Sequence, residues 1–205
     1  MGLPVTVSKA EQLLARAAEQ KNRLGRHLLV AAALSESLPH DVIVVGGTAE
    51  EYWTRDAYHE TDLDVCAPIH PEDQKTLERL GFEKDGRHWY HARTRVAVEF
   101  PDSTIDGDLD RTVLARVPGG SARIIGVEDL YLDRLRQAAM NEGVKDVHFH
   151  STLAVAAACF DMIDWRYVRD RLQGIEQRDS LVGPAMKRVN RVIRRRVLMS
   201  FRLQH

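Results

Sequence analysis

Four β-branched apolar residues, Val42-Ile43-Val44-Val45, run directly into Gly46-Gly47, and this junction limits what the chain can build. An unbroken apolar run of this kind suits a strand covered on both faces, and two glycines after it give the backbone a tight turn at no steric cost. Thr48 to Arg55 then reads as a short helix. Asp62 to Cys66 alternates polar and apolar residues as a half-buried strand does, and Pro71 to Leu80 reads as a helix with Pro at its start and Gly81 just past its end. The order strand, helix, strand, helix predicts an α/β core.

The flanking segments fit around that core. Ser8-Lys9-Ala10-Glu11 is a capping-box pattern that starts a helix, which Gly25 is expected to divide before Pro39 ends it. His88 to Ala92 and Arg95 to Phe100 read as strands, with Glu99 on the face opposite Val98 and Phe100. Asp102 to Arg111 reads as a loop, and Val113 to Ile125 as a hairpin around Pro118-Gly119-Gly120. From Val127 the pattern is helical, with expected helices over Glu128 to Met140, Val144 to Phe160, Trp165 to Leu172 and Val182 to Arg202. The expected organisation is an α/β core over residues 1–125 with its N-terminal packing helix, and a helical segment over 126–205 packed on it.

With 205 residues, 44% of them hydrophobic, there is material for one good core with a helical extension. A formal charge of -1 gives no global attraction for nucleic acid or an anionic membrane, so any such preference must be local. Cys66 and Cys159 show no disulfide or zinc spacing, and no signal-peptide core or membrane-length apolar run is present, so a cytoplasmic protein with no membrane partner is expected.

Asp62 and Asp64, two apart on one strand, project from the same face, and two neighbouring carboxylates must raise a pKa or share a cation. A hard divalent ion with oxygen ligands, Mg²⁺ above all, is the natural partner. Gly46-Gly47-Thr48, where a buried strand enters a helix, offers backbone amides and a hydroxyl to an anion. Glu99 is a candidate third carboxylate on a neighbouring strand. Three carboxylates beside a phosphate cradle are equipment for holding a nucleoside triphosphate with its metals.

From Val42 to Phe100 this arrangement resembles the DNA polymerase β-type nucleotidyltransferase superfamily. Within it the chain is similar to small nucleotidyltransferase-like proteins related to AbiEii-like toxins of type IV toxin-antitoxin systems. The resemblance implies a polymerase β-like α/β (α+β) core with a mixed sheet. It implies NTP as substrate with Mg²⁺ or Mn²⁺, a hydroxyl acceptor on RNA, protein or a small molecule, and an antitoxin-like protein partner. It assigns Gly46, Gly47 and Thr48 to the phosphate loop, Asp62, Asp64 and Glu99 to metal and catalysis, Arg134 to the triphosphate and Asp146 to a late acidic motif. The chain departs from the pattern in Thr48 for Ser, Glu99 for Asp and Arg134 for Lys. Fourteen residues separate Gly47 from Asp62, more than usual, so a reshaped nucleotide pocket is expected. The alternative is a binding or regulatory protein that keeps the fold without catalysis.

The remaining polar clusters carry weaker signals. His88, His91, His148 and His150 lack zinc-site spacing and read as ordinary surface or helix-end residues. Trp53, Trp89 and Trp165 read as core or rim packing. The last helix holds seven Lys and Arg with no acid from Pro184 to His205, which reads as a solvated amphipathic face or as a landing surface for RNA phosphates.

Overall fold

A computed structural model describes residues 7–55, 62–141 and 146–202, and the chain divides into two units, Met1–Tyr52 with Ala57–Ile125, and Trp53–Asp56 with Gly126–His205. In the first unit, helix α1 (Lys9–Glu19) starts on the expected capping box, with Ser8 accepting from the Glu11 amide at 3.2 Å and the Ser8 amide donating to Glu11 at 2.7 Å. Helix α2 (Arg23–Ser37) packs on α1 and on one end of the sheet. The division between them comes at residues 20–22, not at Gly25. Asn22 caps α2 by accepting from the Gly25 amide at 2.8 Å, which places the glycine inside the first turn, where its amide needs a partner.

Strand β1 (Ile43–Val44) enters helix α3 (Gly46–Thr54), and strand β2 (Leu63–Cys66) leads to helix α4 (Pro71–Arg79). Strands β3 (Phe82–Asp85), β4 (His88–His91) and β5 (Val96–Glu99) follow, then a short 3₁₀ turn at Leu109–Arg111 and the hairpin β6 (Val113–Val117) and β7 (Gly120–Ile124). β3 is the strand that sequence reading missed. Its residues Phe-Glu-Lys-Asp bury only the phenylalanine, because it lies at the edge of the sheet, where three consecutive side chains meet solvent.

The sheet runs β3-β4-β5-β2-β1-β7-β6, with β1/β7 and β2/β5 parallel and the other pairs antiparallel, so it is a mixed sheet. Central strands β1, β2 and β5 contribute Val44, Leu63, Val65, Val96 and Val98 to a fully buried layer. The apolar β-branched character of the Val42–Val45 run is explained by this position, although only two of its residues are ladder-paired strand.

The second unit is helical: α5 (Val127–Met140), α6 (Val147–Ala158), α7 (Trp165–Arg178) and α8 (Val182–Arg202). α7 runs beyond Leu172 because Ile175 keeps its apolar stripe buried past Gly174. α5 touches the other three helices. Its Tyr131 is fully buried, donates to Asn190 Oδ1 at 2.8 Å and stands edge-on to Trp165. Burial holds that phenol well above the usual tyrosine range. Among the described residues no helix is long and apolar enough to cross a membrane.

Candidate active site

The central strands of the sheet bring the chemistry-bearing residues of the first unit together. β2 and β5 run parallel with Asp64 directly opposite Glu99, and β4 runs antiparallel to β5 with His88 opposite the same Glu99. Paired residues share a face, so His88, Glu99 and Asp64 form a row across three adjacent strands. On the other face the neighbours Trp89 and Val98 are buried. Asp62 lies just before β2, two residues from Asp64, and its Oδ2 is 3.4 Å from His88 Nε2. His88 Nε2 is also 3.4 Å from Glu99 Oε2, and Arg87 Nε is 3.3 Å from that same oxygen.

Among the described residues the buried His88 Nε2 has no hydrogen-bond partner, because both carboxylates sit beyond good hydrogen-bond geometry. Sequence reading took His88 for an ordinary surface residue. The signal that could have found it is the short connection between β4 and β5: an antiparallel pairing there sets His88 against Glu99.

The glycine turn stands at the other side of Asp64. Gly46 takes φ +58°, and a Cβ on it would lie 2.1 Å from Asp64 Oδ2. Of the two glycines it is Gly46 that takes the left-handed conformation. Gly47 is buried in the first turn of α3. Ala49 N donates to Val45 O at 3.2 Å, so the amides before it lie at the positive end of the helix dipole. Val45 N in turn donates to Asp64 O at 3.0 Å, fixing the start of the turn to the aspartate's own backbone.

Thr48, expected to present its hydroxyl to an anion, instead has that hydroxyl buried, 2.9 Å from His27 Nδ1 on α2. Burial, with Arg23 and Arg26 adding to it, lowers His27 to about 4, so its ring is neutral near pH 7; Asp62 pulls weakly the other way. His27 and Thr48 thus tie the first turn of α3 to α2.

Arg134 lies in the second unit, buried on α5, where its Nη1 donates to Gln137 Oε1 at 3.2 Å and its Nε is 3.9 Å from Asp133. Asp146 is the N-cap residue of α6 and makes no side-chain capping bond. Residues 56–60, in the long spacer before Asp62, lie outside the described residues. In the second unit α7 and α8 line a groove of about 860 Å³ that carries Arg166, Arg169, Lys187, Arg191, Arg194 and Arg195; Arg166 and Arg169 also meet Asp170, and Lys187 meets Glu176. Arg194 stacks over Trp165 at 4.8 Å, so that tryptophan serves as a platform as well as packing.

Asp64 and Glu99 stand opposite each other across β2/β5, beside a turn that a Cβ at residue 46 would fill, and a hard divalent cation takes oxygen ligands of this kind. The fold is that of nucleotidyltransferase-like proteins. The chain is similar to an antigenic nucleotidyltransferase-like protein from Paracoccidioides brasiliensis, at 12% identity and a TM-score of 0.50 over 90% of this chain and 95% of that one. It also aligns with the antibiotic-resistance factor ANT(2'')-Ia, at 12% identity and a TM-score of 0.46 over 97% of this chain and 100% of that one. No family model matches the chain, and no curated protein does. At such identity the first of these structures speaks for the fold alone.

Proposed function

We propose that this protein moves a nucleoside monophosphate from a nucleoside triphosphate to a hydroxyl acceptor. The observation that carries the reading is the register of β2 against β5, which sets Asp64 beside Glu99 with Asp64 Oδ2 lying against Gly46. Asp62, Asp64 and Glu99 would hold Mg²⁺ or Mn²⁺, which when bound supplies charge neutralisation at the triphosphate and acidifies the acceptor hydroxyl. The first-turn amides of α3, from Gly46 and Gly47 onward, receive the phosphates. Glu99 takes the acceptor's proton as its oxygen bonds to the α-phosphorus, and the bond from that phosphorus to the bridging oxygen breaks to release pyrophosphate. The contact of Arg134 with the triphosphate, an antitoxin-like partner and a toxin role rest on the sequence resemblance. A phosphate-rich acceptor such as RNA is supported by the cationic groove between α7 and α8.

The experiment is transfer of label from α-labelled NTPs to RNA, protein and small-molecule hydroxyls with Mg²⁺ or Mn²⁺, beside Asp64→Asn. Metal-dependent label transfer that the variant loses is the expected result. A second reading, a catalytically silent binding or regulatory protein, is favoured by His88, whose nitrogen stands between Asp62 and Glu99. Absence of metal-dependent NTP binding in calorimetry would decide for that reading.

A further inference from the structure

We propose a second metal site, for a divalent cation of the zinc class, made by His40, His70 and Asp73. One ligand atom from each of these residues lies within 4.8 Å of the other two. The three residues come from the connection between α2 and β1 and from the start of α4. β1 and β2 are antiparallel, with Ile43 opposite Cys66, while Val45 N meets Asp64 O. His40 precedes β1 and His70 follows β2, so this cluster sits at the opposite end of the β1/β2 pair from Gly46 and Asp64.

Three features mark the cluster as a ligand set. The first is spacing. His40 Nε2 is 3.3 Å from Asp73 Oδ2, longer than a charge-assisted hydrogen bond of about 2.7–2.9 Å. It matches the roughly 3.3–3.4 Å between two ligand atoms that each sit about 2.0–2.1 Å from a tetrahedral zinc.

The second is the use of His70. It occupies the N-cap of α4, an imidazole where Ser, Thr, Asp or Asn is the usual residue. Its ring stands edge-on to His40, with centroids 5.3 Å apart at 72°. Asp73 is 4% exposed and accepts the His70 amide at 2.8 Å, which fixes the carboxylate.

The third is backbone preorganisation. Pro39 precedes His40 and Pro71 follows His70. The latter restrains His70 to the extended region it occupies, φ -88° and ψ 166°. Two nitrogens and one oxygen suit zinc, cobalt and nickel better than Mg²⁺, and three protein ligands leave a fourth position for water or an added ligand.

The test uses the full chain stripped by a chelator, then titrated with Zn²⁺ by calorimetry and with Co²⁺ by absorbance. Binding is expected in a protein that also carries Asp62→Asn, Asp64→Asn and His88→Gln, which separates this site from the carboxylate row. His40→Ala should weaken Zn²⁺ by about tenfold or more. His70→Cys keeps a ligand while adding a thiolate, so its cobalt complex should gain a sulfur-to-cobalt charge-transfer band. No binding to the triple variant, unchanged affinity in His40→Ala, or a His70→Cys complex without the new band would each overturn the proposal. None of these outcomes depends on whether the protein transfers nucleotides.

Discussion

Gly46 and Asp64 occupy each other's space: the aspartate's Oδ2 lies 2.1 Å from where a Cβ on residue 46 would stand. Gly46→Ala therefore adds a left-handed alanine at φ +58° and pushes the carboxylate away. The expected cost is about 1–3 kcal/mol in urea denaturation. The steric share should shrink in the Gly46→Ala/Asp64→Ala double variant, so the two single costs should exceed the double one. Strict additivity would show that the two residues do not press on each other.

His88 should influence which metal the carboxylates prefer. Its buried nitrogen is 3.4 Å from both Asp62 and Glu99, and imidazole favours Mn²⁺ over Mg²⁺ more than an all-oxygen set does. His88→Leu is expected to lower Mn²⁺ affinity severalfold while Mg²⁺ affinity changes less, read by calorimetry. Equal losses for the two ions would remove the nitrogen from the site's chemistry.

His27 makes stability depend on pH. Its folded value of about 4 lies below its ordinary 6.5, so between those values the unfolded chain holds a proton that the folded chain does not. Stability from this residue is complete above about pH 6.5 and is lost as pH falls toward 4. At ~1.4 kcal/mol per unit the loss is about 3 kcal/mol. His27→Asn should flatten that part of the urea-measured pH profile, and an unchanged slope would mean that other groups set it.

Gly183 should be intolerant of any side chain. A Cβ there would meet the Cα of Glu176 at 2.3 Å and its amide nitrogen at 2.7 Å, both on the backbone of α7. Gly183→Ala is expected to cost about 1–3 kcal/mol in chemical denaturation, because a helix backbone cannot yield as a flexible side chain does. A neutral effect would mean that α7 and α8 separate freely.

The buried β1 segment, its glycine turn, the Leu63–Cys66 strand and the hairpin at Pro118-Gly119 were legible because each carries a local signal: apolar β-branching, glycine, alternation, a turn pair. β3 was not, since an edge strand that buries only Phe82 has no alternation to show. The pairing of Asp64 with Glu99 is a fact of register between strands thirty-odd residues apart, which no local pattern encodes. The partner of the buried Thr48 hydroxyl, His27, lies on a helix before the strand, so no pattern around the glycines shows it. The His40 cluster joins residues separated by two strands and a helix, so its spacing resembles no contiguous motif.

The row His88, Glu99, Asp64 also has an order of durability. β2 and β5 are held on both sides by neighbouring strands, whereas β4 has only the edge strand β3 beyond it. Amide exchange should therefore be faster in β3 and β4 than in β2 and β5. Partial opening of the sheet would withdraw the imidazole while the two carboxylates stayed paired, so the site would lose its nitrogen before it lost its oxygens.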